Sequence, residues 1–402
     1  MVMRLTENLK FNSTTNNIYL SQSKYADLME QISTQKRINK PSDDPVGARA
    51  VLDYRKTQAS VEQYRRNVDA SKGWLNMTET KLANIRDLLV QMRETAITQA
   101  TATATAETRA TAAETVDLLT QEVYTLANSQ YNGRYLFAGS KTETEPFSTS
   151  VRTTTSIGAA EAASGNTFDG AVASGGTYTG TVNKTYVVKV TTGGALGTAV
   201  CDISADGGRT WGVTGQTIPA GGTITLGDGV TMTFADSGSN QLAADDIFYA
   251  DALATGYFNG DGEEISVNVG EGVSFAYNLS GEDIFTNGGS GTTDIFGTLH
   301  GLKAALQNND LAGIQSALDG LEEASNSVNL HVSKAGSKQN RLEVTDSNLV
   351  DLDYQITQLR SNTEDADVAK VITEFSQRET ALKAAYQVAA TIGNISILSF
   401  MR

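Results

Sequence analysis

The chain has 402 residues, a formal net charge of −15, one cysteine and two histidines. This acidic excess argues against a general binder of nucleic acid or of anionic membranes, because both ligands require positive charge. The single cysteine, Cys201, excludes an intramolecular disulfide framework and a cysteine-based zinc site. No apolar stretch reaches the roughly 18 residues needed to span a bilayer, and residues 1–20 lack the apolar core of a standard cleavable signal peptide.

Glycine and negative charge are concentrated in the middle of the chain. Residues 151–300 contain 28 of the 37 glycines and have 4 basic against 16 acidic residues, a net charge of −12. The remaining residues have 27 basic against 30 acidic ones, a net charge of −3. The composition therefore predicts a central part that differs in kind from its two flanks.

The N-terminal flank has the heptad spacing of long helices. In the first segment the apolar or aromatic positions are Phe11, Ile18, Tyr25 and Ile32. The second segment has two seam positions, one occupied by Val61, Val68, Leu75, Leu82, Leu89 and Ala96, the other by Tyr64, Ile85 and Met92. A third seam, after a connection at residues 101–106, consists of Ala112, Val116, Leu119, Val123 and Leu126. Heptads sustained over this length predict helices that pack as a coiled coil or bundle.

A second long helix is predicted after the middle, over about residues 309–361. Its apolar positions step by three and four: Leu311, Ile314, Leu318, Leu321, Val328, Val332, Ala335, Leu342, Leu349 and Ile356. Because a helix of this length requires a partner of similar length, we expect it to pack on the helix that contains Val61 to Ala96.

The C-terminal segment is apolar on two sides. One stripe consists of Val368, Ile372, Phe375, Leu382, Tyr386 and Ala389, and the other of Val371, Ala385, Val388, Ile392 and Ile395, with Leu398 beyond them. A helix with two apolar faces is expected to be covered on several sides. We therefore predict an assembly interface that combines the heptad positions of the first helix with Val368, Ile372, Phe375, Leu382, Tyr386, Ile392, Ile395 and Leu398.

The middle has the period of two that is typical of strands. Short β-branched runs occur at residues 186–190, 223–226, 230–234 and 265–269, bounded by Gly, Asp and Asn. The segments Leu226–Val230 and Asn259–Gly262 resemble hairpin turns. Their Asp-Gly pairs lack the spacing of a calcium-binding loop, so neither a metal nor a cofactor is predicted.

One segment of the middle raises an enzymatic alternative. Residues 204–211 (SADGGRTW) match the Asp-box pattern of sialidase propellers. In physical terms this is a hairpin turn in which Asp206 caps amides, Gly207 and Gly208 allow positive φ, and Trp211 packs beneath. A glycosidase would repeat the box and add paired carboxylates, and the box occurs once. The pattern favours a structural hairpin and predicts no catalytic residue.

Residues 33–49 (STQKRINKPSDDPVGAR) resemble the turn after the first helix of bacterial flagellins and flagellar hook-associated proteins. There Ser42 or Asp43 is expected to cap the next helix, with Asp44 at its positive end and Pro45 in its first turn. Residues 3–8 (MRLTEN), residues 132–140 (NGRYLFAGS) and Pro146-Phe147 are similar to the hook–filament junction group, hook-associated protein 3. Residues 365–376 (DADVAKVITEFS) resemble the C-terminal helix that this group shares with flagellins. The motif residues carried over from the resemblance are Arg37, Asn39, Asp43, Asp44, Gly133, Arg134, Phe137 and Gly139.

The resemblance implies an α+β multidomain fold: long helices from both termini, flagellin-like, with an inserted antiparallel β domain. The implied domains are terminal assembly helices (1–40 and 362–402), a long-helix bundle (41–150 and 299–361) and an acidic β insert (151–298). It also implies a non-enzymatic junction subunit of the flagellum that is exported through the flagellar type III apparatus to the cell exterior. The implied partners are other copies in a ring, hook-associated protein 1, flagellin, transiently the filament cap protein, and an export chaperone. Nucleic acid and membrane are not among them.

Three alternatives stay open at the level of sequence. The first is a filament flagellin of the same architecture, and the second is a carbohydrate-binding or adhesive β domain on a helical stalk. The third concerns residues 82–92 (LANIRDLLVQM), which are similar to the flagellin helix that innate immune receptors recognise. For that segment, packing alone is the simpler interpretation.

Overall fold

The computed structural model describes residues 2–235, 241–288 and 293–400; side chains are described at residue 9 and from 12 to 390 within these ranges. The contacts divide the chain into two compact units. Unit 1 comprises the residues up to Arg66 and those from Asp346 onwards, and unit 2 comprises Asn67–Thr345.

Seven helices are present in the described residues. They are α1 Val2–Thr34, α2 Pro45–Gln99, α3 Ala106–Ala127, α4 Gly281–Phe285, α5 Ile295–Gln307, α6 Leu311–Glu364 and α7 Val368–Phe400. The predicted connection at residues 101–106 separates α2 from α3, and the second long helix is α6. Helices α4 and α5 begin inside the segment for which a period of two indicates strands, so the strand prediction extends too far. Ser280 and Asp294 cap these two helices, accepting hydrogen bonds from the amides of Glu282 and Gly297.

Within unit 1, α2 and α6 lie side by side and run in opposite directions. Gln58 donates to Thr357 Oγ1 at 2.7 Å, and Arg65 Nε lies 3.3 Å from Asp346 Oδ1, so the chain numbers rise on one helix as they fall on the other. The apolar seam between them includes the predicted Val61, Leu349 and Ile356, all buried. The expected pairing of the two long helices is therefore present in this unit.

Within unit 2, most of the predicted seam positions form the helical core. The fully buried apolar residues on α2 are Val68, Leu75, Leu82, Ile85, Leu89, Met92 and Ala96, and those on α6 are Ile314, Leu321, Ala324, Val328, Ala335 and Leu342. The predicted Leu311 is 37% exposed, and Ala324 is buried although it is outside the predicted set. Helix α3 packs on α5. The exposed residues of the segment that resembles the receptor-binding helix are Asn84, Asp87, Val90 and Gln91, while its seam residues are inaccessible.

Fifteen strands follow in the described part of unit 2, all in antiparallel pairs. Their bounds are β1 Gln130–Tyr131, β2 Arg134–Tyr135, β3 Phe147–Arg152, β4 Ser156–Ile157, β5 Glu161–Ala162, β6 Ala171–Gly176, β7 Lys184–Thr192, β8 Val200–Ser204, β9 Val213–Thr217, β10 Thr223–Gly227, β11 Val230–Ala235, β12 Ile247–Leu253, β13 Gly256–Phe258, β14 Ser266–Gly270 and β15 Val273–Ala276. The larger sheet has the order β4-β12-β7-β8-β9, with β5 also on β12, and the second has the order β10-β11-β6. The pairs β1-β2, β3-β13 and β14-β15 form separate ribbons.

The two larger sheets enclose one apolar core. Phe234 from the three-stranded sheet meets Phe248 from the larger sheet edge to face, with ring centroids 5.0 Å apart. Asp228 and Gly229 both have positive φ (46° and 80°), which is the tight hairpin turn predicted for Leu226–Val230. Cys201 is buried in this core, and burial raises the pKa of its thiol to about 11, so it is unreactive at neutral pH.

The insert joins the helices through a neck made of β3 and β13. Arg152 closes this neck with three hydrogen bonds, to the carbonyl oxygens of Ala254 and Phe258 (2.7 Å each) and to Asn259 Oδ1 (2.8 Å). For the next segment, Asn259–Gly262, the prediction of a hairpin turn is wrong. It connects β13 to β14, which do not pair with each other, because the amide of Asp261 bonds the distant Ala138 carbonyl at 3.1 Å.

Candidate assembly interface

The turn between α1 and α2 is held by two neighbouring carboxylates with different partners. Asp43 Oδ2 accepts hydrogen bonds from the amides of Asn39 (3.0 Å) and Lys40 (2.8 Å), which lower the pKa of Asp43. Asp44 Oδ1 accepts from the Gly47 amide at 2.9 Å, and this bond lowers the pKa of Asp44. The helix cap is thus Asp44, and the predicted cap at Ser42 or Asp43 is wrong because Asp43 closes the preceding turn instead.

The same turn is fastened to the junction of α6 and α7, within unit 1. The amides of Arg37 and Ile38 both donate to the Glu364 carbonyl oxygen, at 2.7 and 3.3 Å. Arg37 also donates from Nη2 to the Thr363 carbonyl (2.7 Å) and from Nη1 to Asp44 Oδ2 (3.2 Å). The motif residue Arg37 therefore connects the exit of α1 to the exit of α6.

The Glu364 carboxylate is the buried centre of this contact, which we call the clasp (Lys36, Arg37, Arg55, Arg360 and Glu364). It accepts hydrogen bonds from Lys36 Nζ and from Arg55 Nη2 (2.5 Å), and Arg360 Nε lies 3.8 Å away. Its side chain is 4% exposed, whereas those of Lys36 and Arg55 are 40% and 48% exposed. Burial by itself raises the pKa of Glu364, but the bonds from Lys36 and Arg55 outweigh it and the pKa is lowered. Sequence spacing carries no signal for the burial of Glu364, because the two side chains that donate to it, Lys36 and Arg55, lie 328 and 309 positions away.

Helices α1 and α7 pack against each other beyond the clasp. Tyr25 stacks on Phe375 with ring centroids 4.6 Å apart and an interplanar angle of 26°. Ile18, Ile32 and Leu382 are half-buried. Tyr25, one of the heptad positions of α1, is thus in contact with α7.

Much of the apolar surface of this pair is uncovered. Val368, Ile372 and Tyr386 from the predicted set are 38%, 49% and 48% exposed. The side chains of Phe11, Ile392, Ile395 and Leu398 lie outside the described residues. That the whole set contacts other subunits stays a prediction.

Further exposed apolar residues of unit 1 are absent from the predicted set. They are Leu9, Tyr19, Leu20 and Met29 on α1, Val46 and Leu52 on α2, Val350, Leu352, Tyr354 and Leu359 on α6, and Val388 on α7. On α6 they lie on either side of the buried seam, interspersed with the exposed polar residues Asp351, Gln355 and Gln358. The signal available in the sequence is the departure from a single stripe after residue 349.

The second motif, residues 132–140, anchors the neck in unit 2. Asn132 and Gly133 have positive φ and form the turn of the β1-β2 hairpin, where Arg134 is exposed. Phe137 is fully buried against Phe285, with ring centroids 5.4 Å apart. Gly139 has φ +70° and touches the loop that contains Asp261; an added Cβ would lie 2.1 Å from the Asp261 carbonyl oxygen. Phe137 and Gly139 therefore serve the fold of unit 2, whereas Asn132, Gly133 and Arg134 at the hairpin turn are exposed.

The Asp-box segment forms the loop between β8 and β9. Ser204 Oγ donates to Asp206 Oδ1 at 2.6 Å, and the Thr210 amide donates to the same oxygen at 2.8 Å. Burial would raise the pKa of Asp206, but these bonds lower it. Trp211 is half-buried, so it packs only in part beneath the turn. The geometry is that of a self-contained turn.

The described residues carry neither a metal-binding cluster nor a membrane-spanning helix. Across residues 2–235, 241–288 and 293–400, no three His, Cys, Asp or Glu side chains are placed to hold a metal ion. In the same ranges, no helix combines the length and apolarity that a membrane crossing requires.

The chain belongs to the flagellin-like family. Residues 6–142 match the bacterial flagellin N-terminal helical region, and residues 318–401 match the bacterial flagellin C-terminal helical region. Both matched regions lie outside the two β-sheets of the insert. This membership points to a structural rather than an enzymatic protein of the flagellum.

Relatives within the family carry two names. Flagellar hook-associated protein 3 of Salmonella typhimurium is 31% identical over 146 residues, covering 36% of this chain and 46% of the relative. The match therefore spans about half the length of that relative. A flagellin of Clostridium tyrobutyricum is 23% identical over 399 residues, covering 96% of this chain and 98% of the relative.

A solved structure shares the fold. It is described as a flagellar hook-associated protein of Vibrio parahaemolyticus and covers 80% of this chain and 100% of its own. Its TM-score is 0.50 at 14% sequence identity, so the likeness concerns the fold alone. It supports the predicted α+β architecture, with helices from both ends around an antiparallel β insert.

Proposed function

We propose that this protein is a structural subunit of the bacterial flagellum that forms the junction between the hook-associated proteins and the flagellin filament. The observation that carries the proposal is the uncovered apolar surface of unit 1. Ile372 and Tyr386 on α7 are 49% and 48% exposed, and Tyr354 on α6 is 68% exposed. Burying such surface against neighbouring copies stabilises an assembly by roughly 25 cal/mol per Å² of apolar area.

The distribution of charge supports the same function. Unit 1 has 16 basic and 15 acidic residues, a net charge of +1, whereas unit 2 has 15 basic and 31 acidic residues, a net charge of −16. A near-neutral surface packs against copies of itself without strong repulsion, and a highly charged one stays solvated. Unit 1 is therefore the part that we assign to polymer contacts, and the acidic insert the part that remains outside them.

The finer features of this function follow the family resemblance. In the proposal, copies form a ring that contacts hook-associated protein 1 on one side and flagellin on the other, with transient contact to the filament cap protein. Subunits reach the cell exterior through the flagellar type III apparatus, held beforehand by an export chaperone. The domain roles are terminal assembly helices (1–40 and 362–402), a surrounding helix bundle (41–150 and 299–361) and the outward β insert (151–298).

The test compares two pairs of exposed apolar residues. Replacing Ile372 and Tyr386 by serine should leave monomer stability within about 0.5 kcal/mol, since exposed substitutions cost little, and should abolish filament assembly and motility in a complemented deletion strain. The matched control replaces Val213 and Val273, which are 45% and 47% exposed on the insert. Full motility of the Ile372/Tyr386 variant would reject the proposed interface.

The second candidate is a filament flagellin, favoured by the match to the Clostridium tyrobutyricum flagellin over 96% of this chain. A deletion strain separates the two functions. Loss of a junction subunit leaves hooks and releases unpolymerised flagellin into the medium, whereas loss of the flagellin removes the filament protein itself. Electron microscopy and immunoblotting of the culture medium distinguish these outcomes.

A further inference from the structure

Three acidic side chains are buried together where the insert meets the helices of unit 2. Asp261 and Glu263 belong to the loop that joins β13 to β14, and Glu282 lies on α4. Asp261 and Glu282 are 1% and 6% exposed, and the Glu263 side chain is 15% exposed. Burial of ionised carboxylates is costly unless cations or hydrogen-bond donors compensate for the lost water.

Two of the three are bonded to different parts of the unit. Asp261 accepts hydrogen bonds from the amide and the hydroxyl of Ser140, at 2.7 and 2.6 Å. Glu282 Oε1 accepts from the Asn183 amide at 3.0 Å, and its Oε2 lies 2.5 Å from where a Cβ on Gly262 would be. The loop therefore approaches Glu282 as closely as a residue without a side chain allows.

The third is paired with the Asp-box hairpin. Glu263 Oε2 lies 2.5 Å from Arg209 Nη2, and the exposed Glu264 lies 3.8 Å from Arg209 Nη1. Asp206 on the same hairpin and Asp283 on α4 add negative charge from both sides. The guanidinium of Arg209, which is 48% exposed, is thus the cation paired with both Glu263 and Glu264.

Burial, together with the neighbouring negative charges, favours the neutral forms of two of these groups in mildly acidic solution. Burial raises the pKa of Glu263 to about 7; Arg209 opposes this, and Asp261 adds to it. Burial likewise raises the pKa of Glu282 to about 7 in spite of the bond from Asn183. Lys338 on α6 interacts with Glu264, and its own pKa is lowered by burial.

We propose that Asp261, Glu263 and Glu282 form a pH-sensitive latch at the base of the insert. When Glu263 and Glu282 are protonated, the repulsion within the cluster is relieved and the loop packs against α4, while Glu263 still accepts a hydrogen bond from Arg209. When both ionise, Arg209 compensates Glu263 alone, and the repulsion between Asp261 and Glu282 loosens the loop. Because Asn259 in this loop also accepts a hydrogen bond from Arg152, loosening extends to the neck. The inference does not depend on the proposed flagellar function.

The sign of the effect follows from the raised pKa values. A carboxyl whose pKa is higher in the folded than in the unfolded protein stabilises the fold fully below its unfolded value of about 4.5, and this contribution is lost as pH rises to about 7. The loop should therefore be better protected at pH 5.5 than at pH 8.5.

The experiment is amide hydrogen exchange of residues 259–265 in the full chain, corrected for the intrinsic pH dependence of exchange. Protection at pH 5.5 should exceed that at pH 8.5 by about tenfold or more, one pKa unit being a factor of ten. In Glu263→Gln/Glu282→Gln the protection should be nearly independent of pH, whereas the exposed control Glu271→Gln should behave as the unsubstituted protein. Equal protection at both pH values, or an unchanged pH dependence in the double variant, would overturn the proposal.

A second measurement uses the unsubstituted protein and so does not depend on whether the glutamine variants fold. Carbon-13 NMR of the glutamate carboxyl groups in the unsubstituted protein should show two groups that titrate near pH 7. If every glutamate titrates near pH 4.5, the latch does not exist. If two titrate near 7 and are assigned to Glu263 and Glu282, the latch is supported even where the glutamine variants are unstable.

Discussion

The clasp in unit 1 makes a quantitative prediction for Glu364→Gln. This substitution keeps the shape of the side chain but removes the charge that receives hydrogen bonds from Lys36 and Arg55. A hydrogen bond to a charged group contributes about 1.5–3 kcal/mol. The donors are nearly half exposed and can rehydrate, so the lower end of the range applies. Since glutamine still accepts one bond, we expect a loss of about 2 kcal/mol.

The measurement is the opening free energy of the Arg37 and Ile38 amides by hydrogen exchange, because both donate to the Glu364 carbonyl oxygen. The pKa of Glu364 is lowered in the folded protein, so its contribution is present above the ordinary carboxyl value and is lost as pH falls through the folded value. The variant and the unsubstituted protein should therefore converge in acid.

The matched control is Glu379→Gln, which removes an exposed pair with Lys383 one helical turn away. Solvent screens an exposed pair of this kind, so its loss should destabilise the protein much less than the loss of the buried Glu364 charge. A clasp variant no less stable than this control, or a difference that persists unchanged in acid, would refute the account of Glu364.

Two further predictions concern unit 2. Gly139→Ala should lower the free energy of unfolding by at least about 2 kcal/mol in a thermal melt, because the added Cβ would lie 2.1 Å from Asp261. The control Gly133→Ala is also at positive φ but in open space, and should lower it by only about 1 kcal/mol. Equal losses in the two variants would contradict the contact with Asp261. Arg109→Met should lower the free energy of unfolding by about 2–4 kcal/mol in chemical denaturation, because the buried guanidinium donates to the carbonyl oxygen of Thr101 and to the side chain of Asn309. A loss under about 1 kcal/mol would show that water replaces Arg109 at these acceptors.

The sequence was informative where structure depends on repeating local patterns. The seam of α2, from Val61 through Leu89 to Ala96, is buried as its spacing predicts. The turn at Asp228-Gly229 follows in the same way from residues that tolerate positive φ. The seam follows from residues that repeat at a fixed period, and the hairpin turn follows from residues that are adjacent in the sequence.

The sequence was misleading where a distant partner decides the outcome. Asn259–Gly262 has the same Asp-Gly chemistry as the hairpin at 228–229, yet it becomes a buried loop because Ala138 and Ser140 take up the bonds of Asp261. Asp43 and Asp44 are both acceptable caps by type, and the bonds from Asn39 and Lys40 determine which one serves. Glu364 resembles any exposed glutamate near the end of a helix until its cationic partners are located. Contacts across hundreds of positions leave no periodic trace in a single sequence.

The neck has a consequence for how this chain tolerates change. Strands β3 and β13 pair through Phe147 with Phe258 and Arg152 with Gly256, so the chain enters and leaves the insert side by side. Loops of the insert that make no bond to the rest of unit 2 can therefore change in length without a change in the path of the helices. Asn183 and Arg209 are exceptions, because they bond Glu282 and Glu263 outside the insert's two sheets, and a foreign module would have to supply equivalent partners.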